Sequence, residues 1–144
     1  MRRVLAAVTA LALIAPHAAL AQAGKAAPKK PLTPYERCLA GPKGRTQVGM
    51  QACAAEEAAR HDARLNRNYR AILDQLDNAD DKEAVRNAQR AWIAFRDADC
   101  RSYVSDTWGS MSRLEGAQCL ADRTEERADQ LEAFLQNHSM KVPK

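Results

Sequence analysis

Apolar residues recur at steps of three and four in three long stretches of this chain, the spacing that lines one face of a helix. The stretches run from residue 46 to about 77, from about 81 to 103, and from about 112 to 137. No stretch shows the strict alternation of a half-buried strand. The pattern therefore predicts three long helices.

A shorter helix is predicted ahead of these, because three helix-start signals coincide. Thr33 can cap the helix, Pro34 suits its first position, and Glu36 completes a capping box with Thr33. Gly41 followed by Pro42 ends the helix after about two turns.

The same capping-box signal recurs before the two later long helices. Asp80 is followed by Glu83, and Ser112 by Glu115, so we expect Asp80 and Ser112 to be caps. The predicted fold class is all-α: an antiparallel bundle of three main helices plus a short N-terminal helix, stapled by two disulfides.

The segment from Ala88 to Cys100 is expected to organise the bundle. The break at residues 77–79 makes the first two long helices antiparallel neighbours, with Leu65 level with Trp92 and Ile72 level with Val85. The last helix is expected to pack against this hairpin. The predicted core residues are Leu65, Tyr69, Trp92, Phe95 and Leu131.

Polar residues beside the apolar stripe predict a structural layer that fixes helix register. Its expected members are Asp62, Asn66, Gln89, Arg96, Asp97 and Arg127. Buried polar groups need partners, and such networks confer specificity more readily than stability. The alternative interpretation is that these residues line a binding pocket.

The four cysteines predict disulfides, because their number is even and the chain has an export signal. Their spacings lack the short paired-ligand pattern of zinc sites, so no metal is expected. The shortest closures, Cys38–Cys53 and Cys100–Cys119, are favoured, although geometry alone leaves Cys53–Cys100 open.

The N-terminus has the three parts of a secretory signal peptide. Arg2 and Arg3 precede an apolar run over residues 4–15, and a small-residue site ends at Ala21. The run is shorter than the roughly 20 residues that span a membrane. We expect a signal peptide at 1–21, a disordered linker at 22–32, a helical domain at 33–138 and a flexible tail at 139–144. Cleavage near Ala21 predicts a periplasmic or secreted protein.

The formal charge of +4 belongs to the ends of the chain. Seven of the 22 Lys and Arg residues lie in the first 34 and last seven residues, which leaves 15 against 18 acidic residues, or −3, for the body. No structured basic face with interleaved aromatics is evident, so nucleic acid is not an expected partner.

Catalytic signatures are also missing from the sequence. Beyond the leader the histidines are His61 and His138, and no catalytic triad, phosphate-binding glycine loop or nucleophile elbow can be assembled from the chain. The acidic residues are interpreted as solvated helix faces. We expect no catalytic residues and no cofactor.

Four motifs carry a resemblance to a known family. They are Asp62-x-x-Leu65-Asn66-x-x-Tyr69, the segment Ala88 to Cys100 (AQRAWIAFRDADC), Gly109-Ser110, and Cys119-x-x-x-x-Thr124-x-x-Arg127-x-x-x-Leu131. Over about residues 38–135 the chain resembles the LprI-like N-terminal domain of lysozyme inhibitors. That family is small, helical and exported, and its name comes from a member that inhibits lysozyme. The resemblance therefore implies inhibition. The chain departs from the family in two respects. It lacks a lipobox cysteine, and it has Trp108-Gly109 where the family usually has paired glycines before the loop serine.

The loop over residues 105–113 is the candidate partner-binding segment. Trp108 would be its anchor, with Ser110 beside it and Arg101 or Arg113 near the carboxylates of a lysozyme cleft. The alternative is that Trp108 caps the end of the bundle. The expected partner is lysozyme or another envelope protein, and a monomer is favoured.

Overall fold

The computed structural model describes residues 30–144 and shows four α-helices in that range. They are α1 (Pro34–Ala40), α2 (Gln47–Gln75), α3 (Ala79–Ser102) and α4 (Ser112–Asn137). Two short 3₁₀ helices, Lys43–Arg45 and Asp106–Trp108, lie in the connections. The described part of the chain contains no strand, and the predicted all-α bundle is confirmed.

The starts of α1 and α2 follow the capping signals of the sequence. Thr33 Oγ1 accepts from the backbone N–H of Glu36 at 3.1 Å, and the Glu36 carboxylate accepts from the Thr33 N–H at 2.6 Å. Thr46 Oγ1 accepts from Gly49 N–H at 3.0 Å at the start of α2. Each bond satisfies an N–H that has no partner within its helix.

The caps of α3 and α4 differ from the prediction. Asn78, not Asp80, caps α3, because its side-chain oxygen reaches the N–H groups of both Asp80 and Asp81, at 2.7 and 3.3 Å. At α4 the N-cap position is Met111, which makes no side-chain cap. Ser112 instead uses its buried hydroxyl to bond the preceding loop.

α4 is the helix on which the bundle is assembled. It packs along α2 over most of its length and along α3 less extensively, whereas α2 and α3 hardly approach one another. α2 and α4 run in the same direction, since His61 lies near Glu125 and Gln75 bonds Lys141 just beyond α4.

α3 runs antiparallel to α4 and is held to it at a few points. Gln89 bonds Arg127, and Cys100 is joined to Cys119. The predicted antiparallel direction of α3 is therefore present, but α2 packs far more closely on α4 than on α3, which reaches the shared core through Val85 and Trp92. The reason is that α4 supplies the long buried stripe: Ser112, Leu114, Gly116, Ala121, Thr124, Ala128, Leu131 and Leu135.

The face of α3 that meets α4 is not the face predicted from its apolar spacing. The buried residues of α3 are Gln89 and Cys100, and Phe95, expected in the core, is 55% exposed. The mostly buried Arg96 lies on the inner face. Because consecutive helical residues are turned by about 100°, a helix that buries Arg96 turns Phe95 outward.

The apolar core lies towards the α2–α3 turn. Its buried members are Leu65, Ile72, Ala128, Leu131 and Leu135, with Tyr69, Val85 and Trp92 among the partly buried residues packed on them. Of the predicted core residues, Leu65 and Leu131 are buried, and Tyr69 and Trp92 lie at the core's edge. Asn68, also buried, donates to the Ala128 carbonyl at 3.1 Å and so ties α2 to α4.

Both favoured disulfides are present, Cys38–Cys53 and Cys100–Cys119. The first fixes α1 to α2, and the second fixes the end of α3 to α4. Gly116 lets α4 lie close to the end of α3 and the residues after it, since a Cβ at this position would lie 3.3 Å from the Cys100 carbonyl oxygen and 2.5 Å from Val104 Cγ2.

The domain limits predicted from the sequence are covered only in part. The predicted signal peptide and the predicted linker up to residue 29 lie outside the described residues. At the other end, the predicted flexible tail is partly held in place. Met140 packs on the core, and the backbone of Lys141 exchanges two hydrogen bonds with the Gln75 side chain.

Candidate functional site

The α3–α4 connection presents Trp108 to solvent. The side chain is 64% exposed, at the end of the 3₁₀ helix Asp106–Trp108. Gly109 follows with φ 81°, a left-handed conformation that suits glycine and turns the chain sharply after the tryptophan.

The loop that carries Trp108 is braced by side chains on both flanks. Ser112 Oγ lies 2.9 Å from the carbonyl oxygens of both Ser105 and Gly109, so its hydroxyl can donate to either. Ser105 Oγ accepts from Thr107 N–H at 3.2 Å. Gln47 of α2 donates to the Ser110 carbonyl. The exposed aromatic ring thus stands on a fixed turn.

Arg101 and Arg113, the two cations predicted for this loop, are brought to one groove between α3 and α4. The groove has a volume of about 390 Å³, and Val104 and Leu120 also line it. Arg113 Nη2 is 3.2 Å from Asp106 Oδ1 in an exposed ion pair. Trp108 and Ser110 lie on the loop beside this groove rather than in its lining.

Sequence reasoning did not identify the other exposed apolar residues of this end. Tyr103, Val104 and Met111 are each exposed, although their side chains are large and apolar. Together with Trp108 they place four such residues within nine positions. Four large apolar residues in a short polar connection could have indicated this surface from the sequence, because a group of exposed apolar side chains is typical of an interaction site.

The residues of the predicted polar layer form three pairs, two within a helix and one between helices. Asn66 donates to Asp62 at 2.8 Å on α2, and Arg96 donates through Nε and Nη2 to its neighbour Asp97, at 2.9 and 2.7 Å. Arg127 of α4 reaches across to α3 and donates through Nε to Gln89 Oε1 at 3.2 Å.

Trp92 links the last two pairs. The guanidinium carbon of Arg96 lies 5.1 Å from the ring centroid and that of Arg127 lies 5.8 Å from it, both within cation–π range. Burial lowers the pKa of Arg127 from its ordinary value.

A cavity of about 230 Å³ lies beside Arg127. Its apolar lining comes from Ile72, Val85, Ala88, Leu131 and Phe134, and Gln130 stands next to Arg127 at its polar edge. The position of Ile72 and Val85 in one cavity agrees with their predicted common level along the bundle.

An ion pair between α3 and α4 was missed by the sequence analysis. Arg123 donates through Nε to Asp99 Oδ2 at 2.9 Å and through Nη1 to Glu126 at 3.1 Å. These bonds, that to Asp99 first, raise the pKa of Arg123. The signal was the pairing of Cys100 with Cys119, because Asp99 adjoins the first cysteine and Arg123 lies one helical turn beyond the second.

The histidine and cysteine groups form no recognisable catalytic arrangement within residues 30–144. His61 Nε2 lies 3.1 Å from Glu57 and 3.8 Å from Glu125, with no nucleophile bonded to it. Asp99, Cys100 and Cys119 are close enough to ligate a metal, but the two sulfurs are bonded to each other and offer no thiolate. None of the helices described here is both long and apolar enough for a membrane span.

Comparison with known proteins gives one family match. The model of the family described as "Lysozyme inhibitor LprI" matches residues 38–131. A protein of Rhizobium meliloti (strain 1021), described as uncharacterized, is 29% identical over 108 residues, which cover 66% of this chain and 78% of that protein. No solved structure matches the chain.

Proposed function

We propose that this protein, which belongs to the LprI lysozyme inhibitor family, inhibits a lysozyme by placing the Trp108 loop in the enzyme's sugar-binding cleft. Membership of this family and the presence of two disulfides both indicate an extracytoplasmic protein. The proposed role is non-enzymatic and is carried out in the periplasm or outside the cell after removal of a leader near Ala21.

The exposure of Trp108 is the observation that carries this proposal. A tryptophan held out on a braced turn loses little conformational freedom on binding and buries a large apolar area in a partner's cleft. A lysozyme cleft is lined by two carboxylates. Arg101 and Arg113, which share the neighbouring groove, supply cations for them.

The charge of the body contributes less than the loop. A net charge of −3 over residues 35–137 gives only modest long-range attraction to a basic lysozyme. Affinity is therefore expected to depend on contacts of the loop, and salt should weaken binding moderately.

The test is a lysozyme activity assay in which the oxidised protein is titrated against c-, g- and i-type enzymes. Dose-dependent inhibition is expected, and Trp108→Ala should weaken it about 30-fold, the loss typical of an anchor worth about 2 kcal/mol. Phe95→Ala is the matched control, because Phe95 is an exposed aromatic residue on α3 away from this loop. Equal inhibition by both variants would refute the role of the loop.

The exposed apolar surface around Trp108 also favours a second function, which is binding of a protein other than lysozyme. Tyr103 and Val104 precede the loop, Met111 lies within it, and all three side chains are exposed. If none of the three lysozyme types is inhibited, the same surface is expected to bind a different envelope protein. Capture that Trp108→Ala abolishes and Phe95→Ala preserves would then support this interaction module.

A further inference from the structure

Arg127 is a half-buried cation without an acidic partner among the described residues. Its Nε and Nη1 groups donate to the neutral amide oxygens of Gln89 and Gln130, each at 3.2 Å. Its Nη2 group finds no acceptor within residues 30–144. Partial burial of a charge is unfavourable unless a counter-charge or several hydrogen bonds compensate it.

Arg123, one turn earlier on the same helix, is an arginine whose charge is compensated by acidic partners. It bonds two carboxylates, those of Asp99 and Glu126. Contact with the Trp92 ring offsets part of the cost at Arg127, but the ring is shared with Arg96. Arg127 therefore keeps both a charge and donors that an anion could use.

The cavity beside Arg127 supplies the second half of a binding site. Five of its seven lining residues are apolar, and its volume of about 230 Å³ exceeds the roughly 150 Å³ of an engineered apolar cavity that holds benzene. The space suits one phenyl or branched alkyl group. An apolar cavity with one convergent charged group is the usual composition of a small-ligand site.

We propose that the cavity beside Arg127 binds a small carboxylic acid. The apolar group of the acid would lie against Val85 and Leu131, and its carboxylate would bind Arg127. The guanidinium forms charge-assisted bonds with carboxylates and matches their planar geometry. This site is separate from the Trp108 loop, so it does not depend on the proposed inhibition.

The probe pair is 3-phenylpropionate and its neutral counterpart 3-phenylpropanamide, titrated into the purified protein by calorimetry or by NMR shifts. The acid should bind with a Kd of about 1 mM, as expected for so small a ligand. The amide should bind at least about tenfold more weakly, because it lacks the charge. Added salt should weaken the acid alone.

Variants identify the residue that binds the carboxylate. Arg127→Gln should weaken the acid at least about tenfold, whereas Arg123→Gln, which removes the same charge one turn away, should leave the Kd within about twofold. Ala88→Trp, at an exposed position of the lining, should block the cavity. Arg127→Lys keeps a cation, retains part of the affinity, and replaces Arg127→Gln should that variant fail to fold.

Three results would overturn the proposal. They are no detectable binding of the acid at about 10 mM, equal binding of acid and amide, or unchanged acid binding in folded Arg127→Gln and Ala88→Trp. Lysozyme inhibition is measured in parallel and should be unaffected by Ala88→Trp. Failure of one site is therefore distinguishable from failure of the other.

Discussion

The two ends of the bundle are stabilised by different means. Near the α2–α3 turn, large side chains such as Leu65, Ile72 and Leu135 are buried together. At the opposite end, the buried residues are mostly small, among them Cys53, Ala54, Cys100, Ser112, Gly116 and Ala121. Both disulfides are at this second end, where burial of small groups supplies less free energy.

Most large apolar residues of the disulfide-linked end face outward, although Leu114 is buried. Tyr103, Val104, Trp108 and Met111 are exposed there, whereas comparable residues at the turn end are inside. Apolar side chains that form a binding surface cannot also stabilise that region by being buried in its core. At this end, disulfides and hydrogen bonds from side chains to the loop backbone stabilise the fold instead, which leaves the apolar side chains available to a partner.

Removing both disulfides should have the largest effect on stability, and it should affect the disulfide-linked end more than the turn end. Replacing all four cysteines by alanine should lower the free energy of unfolding by about 6 kcal/mol, since each closure contributes about 3 kcal/mol. Hydrogen exchange should rise first in α1 and in the Trp108 loop and last around Leu65 and Leu135. Thermal melting and exchange mass spectrometry measure the two quantities.

The two disulfides can then be compared singly. Loss of Cys100–Cys119 should weaken lysozyme inhibition more than loss of Cys38–Cys53, because only the first fixes both sides of the loop. Uniform exchange along α2 and α4 in the variant without disulfides would contradict the distinction between the ends.

A core substitution should have the next largest effect. Leu135→Ala removes a fully buried side chain and should cost about 2–5 kcal/mol, whereas Phe95→Ala should change stability by no more than about 0.5 kcal/mol. Denaturant unfolding of the two variants distinguishes the exposed position of Phe95 in the structure from the core position predicted by the apolar spacing of α3. A comparable loss for Phe95→Ala would show that α3 turns a different face to α4.

The contrast between Leu135 and Phe95 explains how much of the fold the sequence could predict. Helix number, approximate limits and disulfide pairing followed from local signals such as the Thr33 capping box and the cysteine spacing. The role of α4 as the central helix did not follow, because spacing identifies an apolar face without identifying its neighbour. Phe95, predicted in the core, is exposed for this reason, whereas Arg96 lies on the inner face of α3.

The site residues divide in the same way. Trp108, Arg101 and Arg113 could be singled out from the sequence, and the structure shows Trp108 exposed and both arginines lining one groove, while their role in binding stays a prediction. The apolar cavity beside Arg127 could not be predicted, since it depends on the level at which α3 lies against α4. A polar residue in a motif does not reveal whether its partner is an acid, an amide or an aromatic ring.

The smallest predicted effect concerns charge at the disulfide-linked end. Burial, together with Glu125 and Glu126, raises the pKa of Asp122 above its ordinary value. A carboxyl group of this kind stabilises the fold below its unfolded pKa, and the contribution is lost as pH rises through the folded pKa. Asp122→Asn should therefore raise the melting temperature at pH 7 by about 1–2 °C, within the range of surface substitutions, and change little near pH 3.

Glu56 provides a control of opposite sign. Its hydrogen bond from Lys43 lowers the pKa of the Glu56 carboxyl, so its contribution is present at neutral pH and is lost as pH falls through the folded pKa. Glu56→Gln should therefore lower the melting temperature slightly at pH 7 and have little effect near pH 3. Melting curves of both variants across this range test the signs. If both shift the melting temperature in the same direction at pH 7, the substitutions act through packing, and charge is not what distinguishes these two carboxyl groups.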